Sequence, residues 1–165
     1  MIEKMKFVSI SGPKNDLDRM VNQYLSHYEI QLENYCKTVR IEALTMVDMA
    51  RKEILPSVEA YVSDLATAAA AKSAVSEELP WGYEKKLLRK LASLVDTMDG
   101  RVDSLEEKLV RLDTLRDTTE EAAFIRDELI PAMGELRAVA DESETQTAAK
   151  YWPFPTYGEL LFSVK

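Results

Sequence analysis

Apolar residues recur at alternating intervals of three and four between residues 88 and 112, and this spacing predicts the amphipathic helix that organises the chain. The unbroken a/d heptad seam comprises Leu88, Leu91, Val95, Met98, Val102, Leu105, Leu109 and Leu112. An apolar seam of this length is unstable in water without a second helix against it. We therefore expect these residues to form a helix–helix contact.

The sequence leaves two candidate partners for this seam. One is the last predicted helix, which Thr118 and Glu121 would start as a capping box and whose apolar stripe is Ala122, Ile125, Leu129, Ala132, Leu136 and Val139. The short connection between the two helices favours this antiparallel pairing within the chain. The other partner is a parallel second copy, because the flanking e positions are acidic and the g positions basic (Asp99, Glu106, Asp113; Arg101, Lys108).

The first half of the chain predicts one long kinked helix or two helices. From Pro13 the apolar stripe runs through Leu17, Met20, Val21, Tyr24, Leu25, Tyr28 and Leu32. Pro56 must kink this helix or begin a new one, because its ring clashes with the preceding turn. Residues 53–58 (EILPSV) and 128–133 (ELIPAM) share one pattern, which we interpret as two kinked helices packed side by side.

These patterns predict an all-α fold, an antiparallel helical bundle with long kinked helices. Alternating β-branched residues at 6–11 add one short N-terminal strand. We expect three segments: a strand–turn–helix segment at residues 1–25, the bundle at residues 26–150, and an aromatic docking tail at residues 151–165. A chain of 165 residues is long enough to bury one core.

The C-terminal tail concentrates aromatic side chains, namely Tyr151, Trp152, Phe154, Tyr157 and Phe162. Two prolines exclude a regular helix until after Gly158, which predicts an extended strap. The free energy gained by burying five aromatic side chains only balances the conformational-entropy cost of ordering the strap. The strap therefore needs a well-shaped groove. That groove lies either in this bundle or on a larger partner, and we favour the partner.

The charge and composition of the chain argue against some classes of binding partner. A net charge of -8, with basic residues interleaved among acidic ones, argues against nucleic acid and against an anionic membrane surface. No apolar run reaches the ~20 residues of a membrane span. Cys36 is the only cysteine, which is typical of a reducing cytoplasm.

Catalytic and metal-binding patterns are not recognisable. His27, the sole histidine, has no second ligand at metal-binding spacing, and we expect a surface or partly buried residue. Cys36 has no nucleophile setting and is expected to be a small core residue. The five glycines are scattered rather than grouped in a phosphate loop. We therefore expect no cofactor, no metal and no catalysis by this chain alone.

From about residue 26 to the end, the chain resembles the C-terminal helical region of type III glutamine synthetase. The resemblance rests on residues 27–35 (HYEIQLENY), 41–49 (IEALTMVDM), 130–141 (IPAMGELRAVAD) and above all 151–162 (YWPFPTYGELLF). Members of that family make glutamine from glutamate, ammonia and ATP. Their catalytic and metal-binding residues precede this region, so the resemblance assigns no catalytic residue here.

Residues 1–34, beginning MIEKMKFVSISGPK, resemble instead the start of V-type ATPase subunit I, a stator subunit. The two resemblances together imply a non-catalytic assembly or oligomerisation module, with a coiled-coil stator or adaptor fragment as the alternative. The implied partners are a glutamine synthetase catalytic domain or a second copy of this chain. The residues expected to make the contacts are the five tail aromatics and the eight seam residues named above.

Overall fold

A computed structural model describes residues 14–76, 80–155 and 157–162, and within these ranges most residues are helical. The elements are α1 (Lys14–Met49), a first π turn (Ala50–Ile54), α2 (Leu55–Val75), α3 (Gly82–Leu112), α4 (Thr118–Phe124), a second π turn (Ile125–Leu129), α5 (Ile130–Gln146) and α6 (Tyr157–Phe162). The all-α prediction is confirmed. The described residues contain no strand to support the N-terminal strand, whose residues 6–11 lie outside them.

The described helices form three rods: α1 with α2, α3, and α4 with α5. Lys72 in α2 pairs with Glu84 at the start of α3. Arg40, nearer the start of the first rod, pairs with Asp113 just past the end of α3, so the first rod runs antiparallel to α3. Lys108 and Lys90 of α3 pair with Glu128 and Glu142 of the third rod, which is therefore also antiparallel to α3. The result is an up–down–up bundle with α3 between its two neighbours.

Both rods that flank α3 contain a π turn immediately before a proline. The Leu55 N–H bonds to the Ala50 carbonyl five residues back, and the next residue is Pro56. The Ile130 N–H bonds in the same way to the Ile125 carbonyl, just before Pro131. The extra residue in the turn moves the carbonyl that would clash with the proline ring, so each rod continues as a new α-helix.

The seam of α3 is buried, with one correction to its register. Leu91, Met98, Val102, Leu105, Leu109 and Leu112 are buried, whereas Leu88 and Val95 are only partly buried. Leu87 and Leu94, which occupy g positions, are buried in their place. The reason is that α3 packs against a helix on each side, so its apolar stripe must be wider than a single coiled-coil seam.

The charges that border the seam are paired within the chain. Arg40 forms an ion pair with Asp113 at 2.6 Å. Arg51 forms ion pairs with Asp99 at 3.2 Å and Glu106 at 2.7 Å. On the other side, Arg101 bonds to Glu135 at 2.7 Å and Lys108 bonds to Glu128 at 2.6 Å. The acidic edge of α3 therefore faces the first rod and the basic edge faces the third, so the parallel second copy is not the partner of this seam.

The third rod begins one residue before the predicted cap. Asp117, not Thr118, is the N-cap: its Oδ1 accepts hydrogen bonds from the backbone N–H groups of Thr119 and Glu120, both at 2.9 Å. Asp117 has the extended backbone (φ −97°, ψ 126°) of an N-cap residue, whereas Thr118 is already helical. The short turn before Asp117 marks one end of the bundle.

Candidate interaction surface

The N-terminal half of α1 extends past that end of the bundle. Along residues 16–34, here called the projecting segment, Leu17 and Leu32 are partly buried and the others are exposed. Burial begins at Tyr35 and Cys36, where the Cys36 Sγ lies 3.9 Å from the Thr118 carbonyl oxygen. The turn between α3 and α4 therefore marks the level beyond which α1 continues alone among the described residues.

The projecting segment carries an apolar face. Its residues, Leu17, Met20, Val21, Tyr24, Leu25, Tyr28 and Leu32, lie at helical spacing, with Tyr24 64% and Leu25 51% exposed. Exposed apolar patches of this kind on soluble domains mark contact surfaces for other proteins. The sequence predicted this stripe as a helix, but its exposure became visible only in the structure.

The apolar face continues the side of α1 that faces the core. Val21, Leu25, Tyr28 and Leu32 follow alternating intervals of four and three that continue through Tyr35 and Val39. Tyr35 packs against the core, and Val39 is part of it. The same side of one helix is thus buried by α3 and α4 inside the bundle and uncovered beyond it.

The first part of the aromatic tail docks on the bundle itself. Tyr151 lies on Tyr61 with ring centroids 5.0 Å apart, and its hydroxyl donates a hydrogen bond to Asp64. Trp152 and Phe154 meet edge to face with centroids 6.3 Å apart. They line a groove of about 240 Å³ with Met46, Met49, Ala50, Ile54, Leu136 and Ala140.

This arrangement corrects two expectations about the tail. Trp152 and Phe154 line a groove between the first rod and α5, and Tyr151 rests on α2 of the first rod, so these three side chains dock on the bundle rather than on a partner. The tail is also not extended throughout, since α6 begins at Tyr157, before Gly158 rather than after it. Phe162 in α6 is 82% exposed, and the side chain of Tyr157 lies outside what the structure describes.

The remaining candidate groups have ordinary surroundings. Burial raises the pKa of Cys36 to about 11, so its thiol is protonated at neutral pH. His27 is exposed beside Met20, Gln23 and Tyr24 on the projecting segment. No group of three or more His, Cys, Asp or Glu side chains in the described ranges is placed to hold a metal ion. Nor is any described helix long and apolar enough to cross a membrane.

Over the residues that the structure describes, the fold and this surface define a helical-bundle protein with an exposed apolar helix face. Residues 21–73 match the family model described as the glutamine synthetase C-terminal domain. The chain is 34% identical over 140 residues to a glutamine synthetase of Butyrivibrio fibrisolvens, covering 85% of this chain and 20% of that protein. It is 26% identical over 147 residues to the type-3 glutamine synthetase of Dictyostelium discoideum, covering 83% of this chain and 19% of that protein.

These comparisons support the resemblance to a glutamine synthetase C-terminal region, and they do not show one to V-type ATPase subunit I. The chain spans about a fifth of the length of the curated relatives it matches. The matched range of the family model begins inside the projecting segment and ends in α2, so it includes most of the apolar face and the first π turn.

Proposed function

We propose that this chain is a non-catalytic assembly module of a glutamine-synthetase-like protein. The observation that carries the proposal is the uncovered apolar face of the projecting segment, which extends the core-facing side of α1 beyond the bundle. Burying such a face against another protein surface is favourable by about 25 cal/mol per Å² of apolar area, before the costs of association.

The partner we propose is the catalytic region of a glutamine synthetase, or a second copy of this chain. The relatives are about five times longer than the matched stretch, so most of each relative lies outside it. Glutamine synthesis from glutamate, ammonia and ATP is the activity we assign to the assembled protein rather than to this bundle. We place the module in the cytoplasm, where a single buried thiol stays reduced.

The test mixes the full chain with a Butyrivibrio fibrisolvens glutamine synthetase from which the region similar to this chain has been deleted. We expect the solution mass to rise by the mass of bound module, and we expect no glutamine formation by the chain alone. Leu25→Asp should abolish the rise in mass, whereas Ile30→Asp on the opposite side of the helix should leave it unchanged. Glutamine formation by the isolated chain, or binding insensitive to Leu25→Asp, would contradict the proposal.

The alternative function is a coiled-coil stator or adaptor fragment. One observation favours it: among the described residues, α1 projects as a single helix beyond its bundle, which is the form of an adaptor that joins two bodies. A stator role requires residues 1–13 to contact a partner. Deleting them should therefore abolish binding if the alternative is correct and leave the glutamine synthetase contact intact if it is not.

A further inference from the structure

We infer that the apolar face of the projecting segment pairs with the same face of a second copy of this chain, with the two helices antiparallel. This inference rests on the proposed assembly function and specifies its partner. It is argued from the continuity of the face with the core, the shape of the bundle, the charges at the borders of the face and the area available.

The apolar face continues the core-facing side of α1, and this continuity indicates what kind of surface the face can bind. Inside the bundle, this side of α1 packs against helices, and Val39 and Ala43 are buried there. Beyond the turn between α3 and α4, the same spacing continues through Tyr28 and Leu25 with no described residue covering them. A helix is therefore the complementary shape for the projecting segment, as it is for the rest of α1.

The shape of the bundle selects the antiparallel orientation. Because the apolar face and the core-facing side are the same side of α1, a parallel partner would bring its own bundle into the volume that α3 and α4 occupy. An antiparallel partner places its bundle at the far end of the projecting segment. The two segments then overlap along their whole length, about 28 Å for residues 16–34 at ~1.5 Å per residue.

The borders of the face favour a copy of the chain over a highly charged partner. Asn22 and Gln31 border the face without charge, and the carboxylates near it are Asp18 and Glu29. A strongly basic or acidic partner would find few complementary charges, whereas two copies bring mostly neutral borders together. The residual carboxylates predict that added salt strengthens the pairing modestly, because it screens their repulsion.

The area of the apolar face limits the stability of the proposed dimer. Five half-exposed apolar side chains on each copy correspond to a total buried surface on the order of 1,000 Å², below the 1,200–2,000 Å² of stable complexes. We therefore expect a weak, reversible dimer with a dissociation constant of roughly 10–100 μM rather than a permanent one. High local concentration in a larger assembly would strengthen such a contact.

Sedimentation equilibrium of the full chain between about 1 μM and 1 mM tests the inference. We expect monomer to convert to dimer, at least tenfold more weakly for Leu25→Asp and unchanged for Ile30→Asp. These positions are matched in exposure, 51% and 55%, but lie on opposite sides of the helix. A monomer at 1 mM, or equal weakening by both variants, would overturn the inference, and circular dichroism checks that both variants keep the bundle.

Spin labels at Ser26→Cys and Asn34→Cys test the orientation separately. An antiparallel pair centred near residue 25 makes the separation along the helix axis roughly 24 Å larger for the second label pair than for the first, because residue 34 lies eight residues further from the centre on each copy. The label-to-label distance should therefore be clearly longer at residue 34 than at residue 26, by less than this axial difference because the helices also lie ~10 Å apart. Similar distances at the two positions would indicate parallel pairing and contradict the inference.

The outcomes also separate the inference from the proposed function. Binding to the truncated glutamine synthetase without dimerisation would leave the assembly function standing and reject self-pairing. Dimerisation through Leu25 without that binding would support self-pairing and reject the glutamine synthetase region as partner.

Discussion

Arg51 donates two parallel hydrogen bonds to the carboxylate of Glu106, from Nε to Oε1 at 3.2 Å and from Nη2 to Oε2 at 2.7 Å. The same guanidinium contacts Asp103 at 2.5 Å and Asp99 at 3.2 Å. Hydrogen bonds to Glu106 and then to Asp103 raise the pKa of Arg51. Because Arg51 lies in the first π turn, this contact fixes the irregular turn of the first rod against α3.

Replacing Arg51 should destabilise the bundle more than its partial exposure suggests. We expect Arg51→Ala to lower the free energy of unfolding by about 1–2 kcal/mol, because three carboxylates lose their shared cation. Arg51→Lys should recover only part of this loss, since an ammonium cannot bond to both oxygens in parallel. Urea unfolding measures both variants. Arg126→Ala is the control, because it removes an exposed pair with the adjacent Asp127 and should leave the unfolding curve nearly unchanged.

We expect that the first π turn forms because of the proline that follows it, Pro56. Deleting Lys52, an exposed residue of the turn, restores α-helical bonding and should place the Pro56 ring against a carbonyl, at a cost of about 3 kcal/mol. Adding Pro56→Ala to the deletion should recover most of that loss in thermal unfolding. If the deletion alone and the combined variant are equally unstable, the turn has another cause.

The thiol of Cys36 makes stability depend on alkaline pH. The folded pKa is raised, mainly by burial and then by Glu121, so the stabilising contribution is complete below about pH 9 and is lost as pH rises through about 11. The unfolding free energy of the native chain should therefore fall toward that of Cys36→Ala across this range, by up to roughly 3 kcal/mol. A constant difference between the two proteins from pH 8 to 11 would contradict this assignment.

Trp152 should hold the tail on the bundle. Trp152→Ala removes a ring that packs against Phe154 and lines the groove between the first rod and α5, and it should destabilise the protein by about 2–3 kcal/mol. Limited proteolysis should then cut the C-terminal segment faster. Phe162→Ala is the matched control, because that aromatic ring is exposed and should leave both stability and cleavage unchanged.

The central helix was predictable because its spacing and its charges are local properties of the sequence. Leu105 and Leu109 are buried as the heptad pattern predicts. Leu87 and Leu94 were missed because the heptad interpretation assumes a single partner, and a helix with neighbours on both sides buries its g positions as well. Pro56 predicted an interruption, but sequence alone does not reveal that an inserted residue in a π turn would accommodate it.

The candidate surface was only half predictable. The spacing of Tyr24, Leu25 and Tyr28 identifies an apolar helix face, but periodicity does not say how far the neighbouring helices extend. The exposure follows from where the third rod starts, at the turn capped by Asp117. Similarly, the aromatic content of the tail predicted docking, whereas the location of the groove depends on how two rods separated in sequence come together.

Amide hydrogen exchange along α1, measured by mass spectrometry, tests most directly whether the projecting segment is the assembly surface. In dilute chain, peptides covering residues 17–32 should exchange much faster than those covering residues 36–49, because local stability follows burial. Raising the chain concentration to about 1 mM should slow exchange in residues 17–32 by roughly five- to fifteenfold, the inverse of the monomer fraction for the expected dissociation constant. Adding the truncated glutamine synthetase should slow exchange in the same residues. Unchanged exchange there under both conditions, or new protection confined to residues 151–162, would contradict the account.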